Sequence, residues 1–198
     1  MLHRIVPLSL AAAALSACAA TTSPVEVTRF HDPAALQQSQ GETVFITNAA
    51  GETDSLELAP YKAAIAEELR RLGYFEGERG SARLIASVDV ERYRLGAQGR
   101  RSPVSVGVGG STGSYGSGIG LGLGINLGGG GGERVGTDMS VVLRDAATGN
   151  SVWEGRASVT MSPNADLAAT RANAQAVAGA LFREFPGNSG ETVEVVID

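Results

Sequence analysis

The chain has 198 residues, of which 43% are hydrophobic and 19% charged, and its formal net charge is −5. This length is enough for one domain with a buried core, and the composition is that of a globular protein and not of a disordered one. The acidic balance argues against a nucleic-acid-binding protein, which normally carries a basic face.

The first residues have the pattern of a lipoprotein signal peptide. His3 and Arg4 form a short basic start, and an apolar run of 11 residues follows, "IVPLSLAAAAL", which is too short to span a bilayer. The run leads into Leu-Ser-Ala-Cys, which resembles the lipobox of bacterial lipoproteins. The resemblance implies cleavage between Ala17 and Cys18 and acylation of Cys18. The alternative is an ordinary secretory signal, cleaved nearby, that leaves a free cysteine.

The lipobox sets the expected organisation and location of the chain. Residues 1–17 are predicted to be the signal peptide, residues 18–24 a lipidated tether, and residues 25–198 a single domain. Cys18 is the only cysteine, so the mature domain has no internal disulfide and no thiolate metal site. Ala19 follows it, and by resemblance to the sorting rule of enteric bacteria this favours the outer membrane. We therefore expect a protein held to the lipid bilayer through acylated Cys18 and facing the periplasm.

The first part of the mature chain predicts two short strands and a helix. Residues 25–30 alternate apolar and polar side chains, and residues 43–47 are rich in β-branched residues. Between them lies a loop with a helical turn after Pro33. Residues 60–72 predict a helix that ends at Gly73. Its apolar face would carry Tyr61, Ile65, Leu69 and Leu72.

A long strand is predicted over residues 82–95, and its apolar phase changes along its length. Ala86, Val88 and Val90 share one face, whereas Tyr93 and Leu95 lie on the other. This change predicts a β-bulge or a different packing partner near Arg92.

The remaining elements are a β-hairpin, a helix and a last strand. Residues 136–161 predict the hairpin, with Gly149 in its turn and Trp153 as a core anchor. Residues 163–185 predict a second helix, and residues 191–197 a closing strand.

A glycine-rich insertion at residues 103–132 is the least ordinary part of the sequence. No Lys-Ser or Lys-Thr and no helix pattern follow its glycines, which argues against a phosphate-binding loop. Its period of two predicts a hairpin of residues 103–109 against residues 118–127. The insertion could be a spacer without a role, a flap that docks an unknown envelope protein, a membrane-touching tip or a self-association edge.

Two motifs resemble a known family. The helix carries Ile65-x3-Leu69-x3-Gly73-Tyr74, and the hairpin "LRDAATGNSVWEG" carries Asp145, Thr148, Gly149, Trp153 and Gly155. With the lipobox, they resemble the bacterial envelope lipoproteins of domain-of-unknown-function family 4136, over about residues 25–185. The resemblance implies an α+β domain with an antiparallel sheet, and no activity is established for that family as a whole. The glycine-rich insertion departs from the family pattern, because Tyr115 is its single aromatic residue.

The titratable residues do not predict an active site. His31 is the single histidine of the mature chain, and we expect it on the surface beside Asp32. No G-x-S-x-G elbow is present, and no histidine pair predicts a zinc site. Asp89 and Glu91 share a strand face and are expected to be solvated. We therefore predict no catalytic residue, no metal site and no cofactor.

The sequence as a whole predicts one α+β domain. A single antiparallel sheet of about six strands would have helices 60–72 and 163–185 packed on one face. The expected function is that of a non-catalytic binding or structural module of the cell envelope. A cell-envelope hydrolase and a subunit of an export or secretion assembly are the alternatives.

Overall fold

A computed structural model of the chain describes residues 22–50, 55–96, 101–103 and 132–197. Within these ranges, eight strands form one sheet. The strands are β1 (Val25–His31), β2 (Thr43–Asn48), β3 (Phe75–Glu76), β4 (Leu84–Leu95), β5 (Arg101–Pro103), β6 (Arg134–Asp145), β7 (Ser151–Met161) and β8 (Thr192–Val195). The α-helices are α1 (Pro33–Gln38), α2 (Ala59–Arg71) and α3 (Thr170–Phe182), and a 3₁₀ turn covers Asp166–Ala168.

The sheet is mixed, so the prediction of a single antiparallel sheet is wrong. Its order is β3-β2-β4-β6-β7-β1-β8, and β5 pairs with β4. Strand β2 runs parallel to both β3 and β4, whereas the other pairs are antiparallel. The reason is helix α2, which carries the chain back along the sheet after β2, so that β3 and β4 start at the same end as β2. The domain is nevertheless α+β.

Helix α2 confirms the first predicted helix. Proline lies at its start, and Arg70 and Arg71 lie in its last turn, where positive charge is favourable. The helix ends before Gly73, whose φ of +90° suits glycine. Leu72 departs from the predicted apolar face, because it is 37% exposed. The buried face is formed by Tyr61, Ala64, Ile65 and Leu69.

The predicted continuous helix over residues 163–185 is wrong. The 3₁₀ turn ends at Ala168, Ala169 is extended with ψ of 135°, and only then does α3 begin. The guanidinium of Arg92 on β4 donates to the Ala168 carbonyl oxygen at 2.7 Å and to the Thr170 hydroxyl at 2.9 Å. These bonds hold the break in place. The helical turn predicted after Pro33 is confirmed as helix α1, and the Asp32 carboxylate caps its first amides.

Helices α2 and α3 cover one face of the sheet. Leu84, Ala86 and Val88 of β4 point into this helix-covered face, and alternation puts Tyr93 and Leu95 on the other, open face. The register between β4 and β6 is continuous through Arg92, so no bulge lies there, and the change of packing partner is the correct alternative. The hairpin of β6 and β7 is confirmed.

Two predicted regions lie outside the described residues. The first contains the lipobox, with Ala17 and Cys18, and the start of the tether; the second is residues 104–131 of the glycine-rich insertion. In the part of the chain that is described, no helix combines the length and the apolar character needed to cross a membrane.

Candidate functional site

The turn of the β6–β7 hairpin is built by three of the motif residues. The Asp145 carboxylate accepts hydrogen bonds from the backbone amides of Thr148 at 2.8 Å and Ala147 at 3.0 Å, and from the Thr148 hydroxyl at 3.1 Å. It also pairs with Arg83 at 2.9 Å. The bonds from Thr148 are the main cause that lowers the pKa of Asp145. Gly149 follows with φ of +74°, a conformation that favours glycine.

The other two motif residues fasten helix α3 to the sheet. Trp153 is fully buried, stacks on Phe182 with ring centroids 5.2 Å apart, and donates from Nε1 to the Pro186 carbonyl oxygen at 3.1 Å. Its ring lies over Gly155, where a Cβ atom would come within 2.2 Å of the ring. The glycine is therefore required by the position of the tryptophan.

Arg29 completes this region, and the sequence analysis missed it. Only 4% of the residue is exposed, and its guanidinium donates to the carbonyl oxygens of Leu181 at 2.9 Å, Ala180 at 3.1 Å and Arg183 at 2.7 Å. These carbonyls lie in the last turn of α3 and just after it, where the helix no longer supplies all the donors; that of Ala180 also accepts from the Arg183 amide at 3.3 Å. Burial lowers the pKa of Arg29. The available signal was an arginine at an inward position of β1, in phase with two valines.

A cavity of about 580 Å³ lies beside this region, where the ends of several elements meet. We call it the helix-end pocket. It is bounded by the end of β1, by α1, and by the segments that follow α2 and α3. Its walls include His31, Leu36, Leu72, Tyr74, Phe185 and Pro186. The polar side chains of Gln37 and Gln40 also line it.

His31 is the last residue of β1 and lines the helix-end pocket. It is half-buried, and its Nδ1 atom is buried without a hydrogen-bond partner among the described residues. Neither neighbour orients the ring: Asp32 accepts from the amides of Ala34 and Ala35, and the Ser189 hydroxyl accepts from the backbone amide of His31. The described side chains therefore do not assemble a Ser-His-Asp triad around this histidine.

Tyr74 contributes a second buried polar atom to the same pocket. The residue is 2% exposed, and its hydroxyl has no partner in hydrogen-bonding geometry within the described chain. Burial raises the pKa of Tyr74, and the neighbouring Ser39 hydroxyl offsets part of this effect. The Ser39 hydroxyl itself donates to the Leu36 carbonyl oxygen at 2.8 Å. The Tyr74 ring packs edge-on against Phe185, with centroids 6.3 Å apart.

The open face of the sheet carries a polar cluster that the sequence analysis also missed. The Tyr93 ring lies over Gly136, where a Cβ atom would come within 2.3 Å of it. Asp138 accepts from Ser158 at 2.6 Å and from the Tyr93 hydroxyl at 3.3 Å. The Arg101 guanidinium lies 4.4 Å from the ring centroid and 3.3 Å from the other Asp138 oxygen. Burial, and then the charge of Asp138, raise the pKa of Tyr93 to about 12.

This cluster holds β5 against β4, and β5 is the strand from which the glycine-rich insertion continues. Asp89 and Glu91, which were considered as paired carboxylates, belong to the same open face and are both exposed to solvent. The expectation that they are solvated is confirmed.

The segment that precedes β1 is fastened to one end of the sheet. Thr22 forms a bridge with Met161 at the end of β7, and the Ser23 hydroxyl donates to the Thr160 carbonyl oxygen at 2.8 Å. Arg134, at the start of β6, donates to the same carbonyl oxygen at 2.9 Å. The chain therefore enters the sheet after the lipobox, and enters it again after the glycine-rich insertion, at the same end of the sheet.

The described residues hold no group of three or more His, Cys, Asp or Glu side chains that could bind a metal ion. A second cavity, of about 540 Å³, lies between α2 and the edge of the sheet. Its lining contains both signs of charge, from Lys62, Glu67, Arg70 and Glu76.

Comparison with known proteins identifies the family of the domain. Residues 29–187 match the family model of a domain of unknown function, DUF4136. A search of curated proteins finds no match. Among solved structures, two PelC dodecamers from Paraburkholderia phytofirmans are each 15% identical, cover 79% of this chain, and have TM-scores of 0.44 and 0.42. The matches cover 94% and 96% of those chains.

A third solved structure is a PDZ domain protein from Parabacteroides distasonis. It is 11% identical, with a TM-score of 0.45, and the match covers 88% of this chain and 38% of that one.

Proposed function

We propose that this chain, which belongs to the DUF4136 family because the family model matches residues 29–187, is a lipoprotein that is anchored in the outer membrane and faces the periplasm. It acts there as a non-catalytic binding or structural module of the cell envelope. The observation that carries this proposal is the Leu-Ser-Ala-Cys sequence that ends at Cys18, directly after an apolar run of signal-peptide length.

The geometry of the domain supports a position close to the bilayer. Thr22 is paired with Met161 at the end of the sheet, and only three residues separate it from Cys18. Four residue steps of a fully extended chain span at most about 14 Å, so an acylated Cys18 holds this end of the sheet near the membrane surface. The glycine-rich insertion returns to the sheet at the same end, which favours a role at or near the membrane.

A binding role is also favoured over hydrolysis by the surroundings of His31. Its neighbours Asp32 and Ser189 are engaged with backbone amides and not with the imidazole. A hydrolase based on this histidine would need an oriented base and a nucleophile within hydrogen-bonding reach of it.

The anchor is tested by labelling cells with a radioactive fatty acid and separating their membranes. We expect the wild-type chain to be labelled and to sediment with the outer membrane, and the Cys18→Ser variant to be unlabelled and to leave that fraction. Ser16→Ala is the matched control, because it keeps a small residue in the lipobox and should behave as wild type. An unlabelled wild-type chain, or a labelled Cys18→Ser variant, would contradict the proposal.

The binding role is tested by cross-linking in intact cells. The bait is the full lipoprotein, compared with a version in which residues 110–132 are replaced by a short turn. An envelope protein that is recovered with the first bait and lost with the second would support a docking role for the insertion. Recovery of the same proteins by both baits would show that the insertion is a spacer.

A further inference from the structure

We propose that residues 118–127 of the glycine-rich insertion dock within their own chain, as an added strand in the groove between helix α2 and the edge of β2. This groove is the second cavity, of about 540 Å³, and we call it the edge groove. The inference goes beyond the proposed function and does not depend on the lipid anchor, because it rests on the sheet edge, the groove and the sequence of the insertion.

The edge of β2 is only partly covered by a neighbouring strand. The two residues of β3 pair with Thr43 and Val44, and the amide of Gly77 then donates to the Val44 carbonyl oxygen at 2.9 Å. Backbone groups along a strand point to alternate sides, so the amide and carbonyl of Ile46 point to the same side as those of Val44. Among the described residues, none pairs with Ile46 on that side. An extended segment in line with β3 would continue this ladder, and an uncovered edge is a usual template for an added strand.

The edge groove gives this position an apolar floor. Val44 and Ile46 line it from the sheet, and Ala63, Ala66 and Leu69 line it from α2. Ala63 and Ala66 are outside the buried face of the helix, and their small side chains leave room next to the strand. Aliphatic side chains that enter the groove lose contact with water against these residues.

The charges around the edge groove favour an uncharged occupant. Its lining has two basic side chains, Lys62 and Arg70, and two acidic ones, Glu67 and Glu76. This balance gives no net attraction to an anion or to a cation. Residues 104–131 contain no Asp, Glu, Lys, Arg or His, so the insertion matches the groove in charge.

The sequence of residues 118–127 matches the two sides of the proposed position. Aliphatic residues occur at alternate positions, so a strand carries all of them on one face: Ile119, Leu121, Leu123, Ile125 and Leu127. The positions between them are glycine or asparagine. On the open face of β2, the Arg79 guanidinium lies 5.2 Å from the Phe45 ring centroid and donates to the Thr47 hydroxyl at 3.3 Å. With the aliphatic face in the groove, the glycine face of the added strand lies beside Arg79 and leaves space for its side chain.

The connection that precedes residues 118–127 is long enough to reach the edge groove. The insertion continues from Pro103, which pairs with Tyr93 of β4. The groove lies at the level of Ile46, which pairs with Ala86 of β4. The seven positions from Tyr93 to Ala86 correspond to about 24 Å along the strand. Residues 104–118 span up to about 50 Å when extended, so they reach the groove with length to spare.

The return connection is also long enough, and it sets the direction of the added strand. Arg134 pairs with Leu95, which is nine positions, or about 31 Å, from Ala86 along β4. Residues 120–133 span up to about 46 Å when extended. A strand that begins near Ile46 and runs towards this end of the sheet is parallel to β2, as β3 is.

Cysteine cross-linking in the full chain tests where residues 118–127 lie. Cys18→Ser is included, so that the introduced thiols are the only ones and the result does not depend on lipidation. Ala63→Cys in the groove is combined with Leu121→Cys, and a short bismaleimide joins the two thiols. The control pair keeps Leu121→Cys and uses Gln175→Cys, at an exposed residue of α3 outside the groove. We expect the first pair to cross-link within one chain at least about fivefold faster, because docking raises the effective concentration of one thiol near the other.

Hydrogen exchange of the Ile46 amide provides an independent measurement. The double variant Leu121→Ser and Leu123→Ser removes aliphatic side chains from the segment that docks. The Ile46 amide should then exchange roughly 3–10-fold faster than in wild type, as the loss of one hydrogen bond predicts. Val106→Ser and Val108→Ser make the same kind of change elsewhere in the insertion and should leave this exchange rate unchanged.

Three results would overturn the proposal. Equal cross-linking rates of the Ala63 and Gln175 pairs would show that residues 118–127 have no preferred position on the domain. Cross-linking of the Ala63 pair only between chains would make a second copy the occupant of the groove. Unchanged exchange of the Ile46 amide in the Leu121→Ser and Leu123→Ser variant would show that the segment does not pair with β2.

Discussion

Two aromatic rings lie over glycines on opposite faces of the same sheet. Trp153 covers Gly155 on the helix-covered face, and Tyr93 covers Gly136 on the open face. The steric relation is the same, because in each case a Cβ atom on the glycine would overlap the ring. The surroundings differ: the first ring stacks on Phe182, and the second lies under a guanidinium and beside a carboxylate.

The difference shows what each face is built to hold. On the helix-covered face, Trp153 and Arg29 fix the C-terminal end of α3, through ring stacking and hydrogen bonds to carbonyl oxygens. On the open face, Tyr93 and Arg101 fix β5, the strand from which the glycine-rich insertion continues. We therefore expect the first set to contribute more to the global stability of the domain than the second.

The two rings give the largest expected contrast. Trp153→Ala leaves a cavity in the core and should lower the free energy of unfolding by about 3–5 kcal/mol. Tyr93→Ala should cost less, because polar and solvated groups border its ring. Guanidinium denaturation measures the free energy of unfolding of both variants. It is followed by circular dichroism and not by fluorescence, because Trp153→Ala lacks the single tryptophan of the chain. An equal or greater loss for Tyr93→Ala would show that the open face is a second core.

The two arginines provide the next contrast. Arg29→Met removes three hydrogen bonds to carbonyl oxygens at the end of α3, of which only that of Ala180 also accepts from the Arg183 amide, and should cost about 2–3 kcal/mol. Arg101→Met removes an exposed ion pair and a cation–π contact and should cost less than about 1 kcal/mol. Thermal and urea unfolding of the pair checks the order, and a reversal would contradict the assigned roles.

The two glycines should respond in the same order as the rings. Gly155→Ala forces the Trp153 ring away from close-packed neighbours and should cost about 1–3 kcal/mol. Gly136→Ala should cost less, because Tyr93 lies outside the core cluster and is covered by the exposed side chain of Arg101, which can yield. Equilibrium urea unfolding of the two single variants measures the difference, and equal costs would show that the open face is packed as tightly as the core.

The smallest effect at neutral pH is expected for Tyr93→Phe. Its hydroxyl makes one long bond of 3.3 Å to Asp138, so the cost should stay below about 1 kcal/mol. The alkaline range is more informative, because folding raises the pKa of Tyr93 from 10.0 to about 12. The neutral phenol therefore stabilises the fold below pH 10, and this contribution is lost as the pH rises towards 12.

The free energy of unfolding, measured from pH 9 to pH 12, tests this assignment. The range covers the pKa of Tyr93 in the unfolded chain, 10.0, and extends to its value in the folded domain, about 12. Stability should fall less steeply in Tyr93→Phe than in wild type. Parallel curves for the two proteins would show that the Tyr93 hydroxyl is not buried. Tyr61→Phe is the positive control on the helix-covered face. Burial also raises the pKa of Tyr61 to about 12, so this variant too should lose stability less steeply than wild type.

The sequence predicted the elements that depend on local pattern. Helix α2 and the β6–β7 hairpin follow from periodicity and from turn residues such as Gly149, and both are confirmed. The direction of β2 relative to β4 was predicted wrongly, because strand direction depends on how α2 packs and not on the residues of the strands. The break near Ala169 was missed for a similar reason, since it is stabilised by Arg92 from a distant strand.

The same distinction between local pattern and distant contacts applies to the site residues. The five motif residues were identified by their resemblance to the family pattern, and the structure gives each a contact in the hairpin or against α3. His31 and Tyr74 were not brought together, because they are 43 positions apart in the sequence and meet only where several element ends converge. Gly136 and Tyr93 were missed because a cross-strand pair leaves no local signature.

Hydrogen exchange of Gly155→Ala and Gly136→Ala tests the central claim most directly, namely that the two faces hold different elements. If the claim holds, exchange becomes faster in α3 and the segment after it for the first variant, with β5 unchanged. For the second variant, exchange becomes faster in β5 and the adjoining part of β4, with α3 unchanged. The same exchange pattern in both variants would contradict the claim and show that the two glycine–aromatic pairs belong to one cooperative unit.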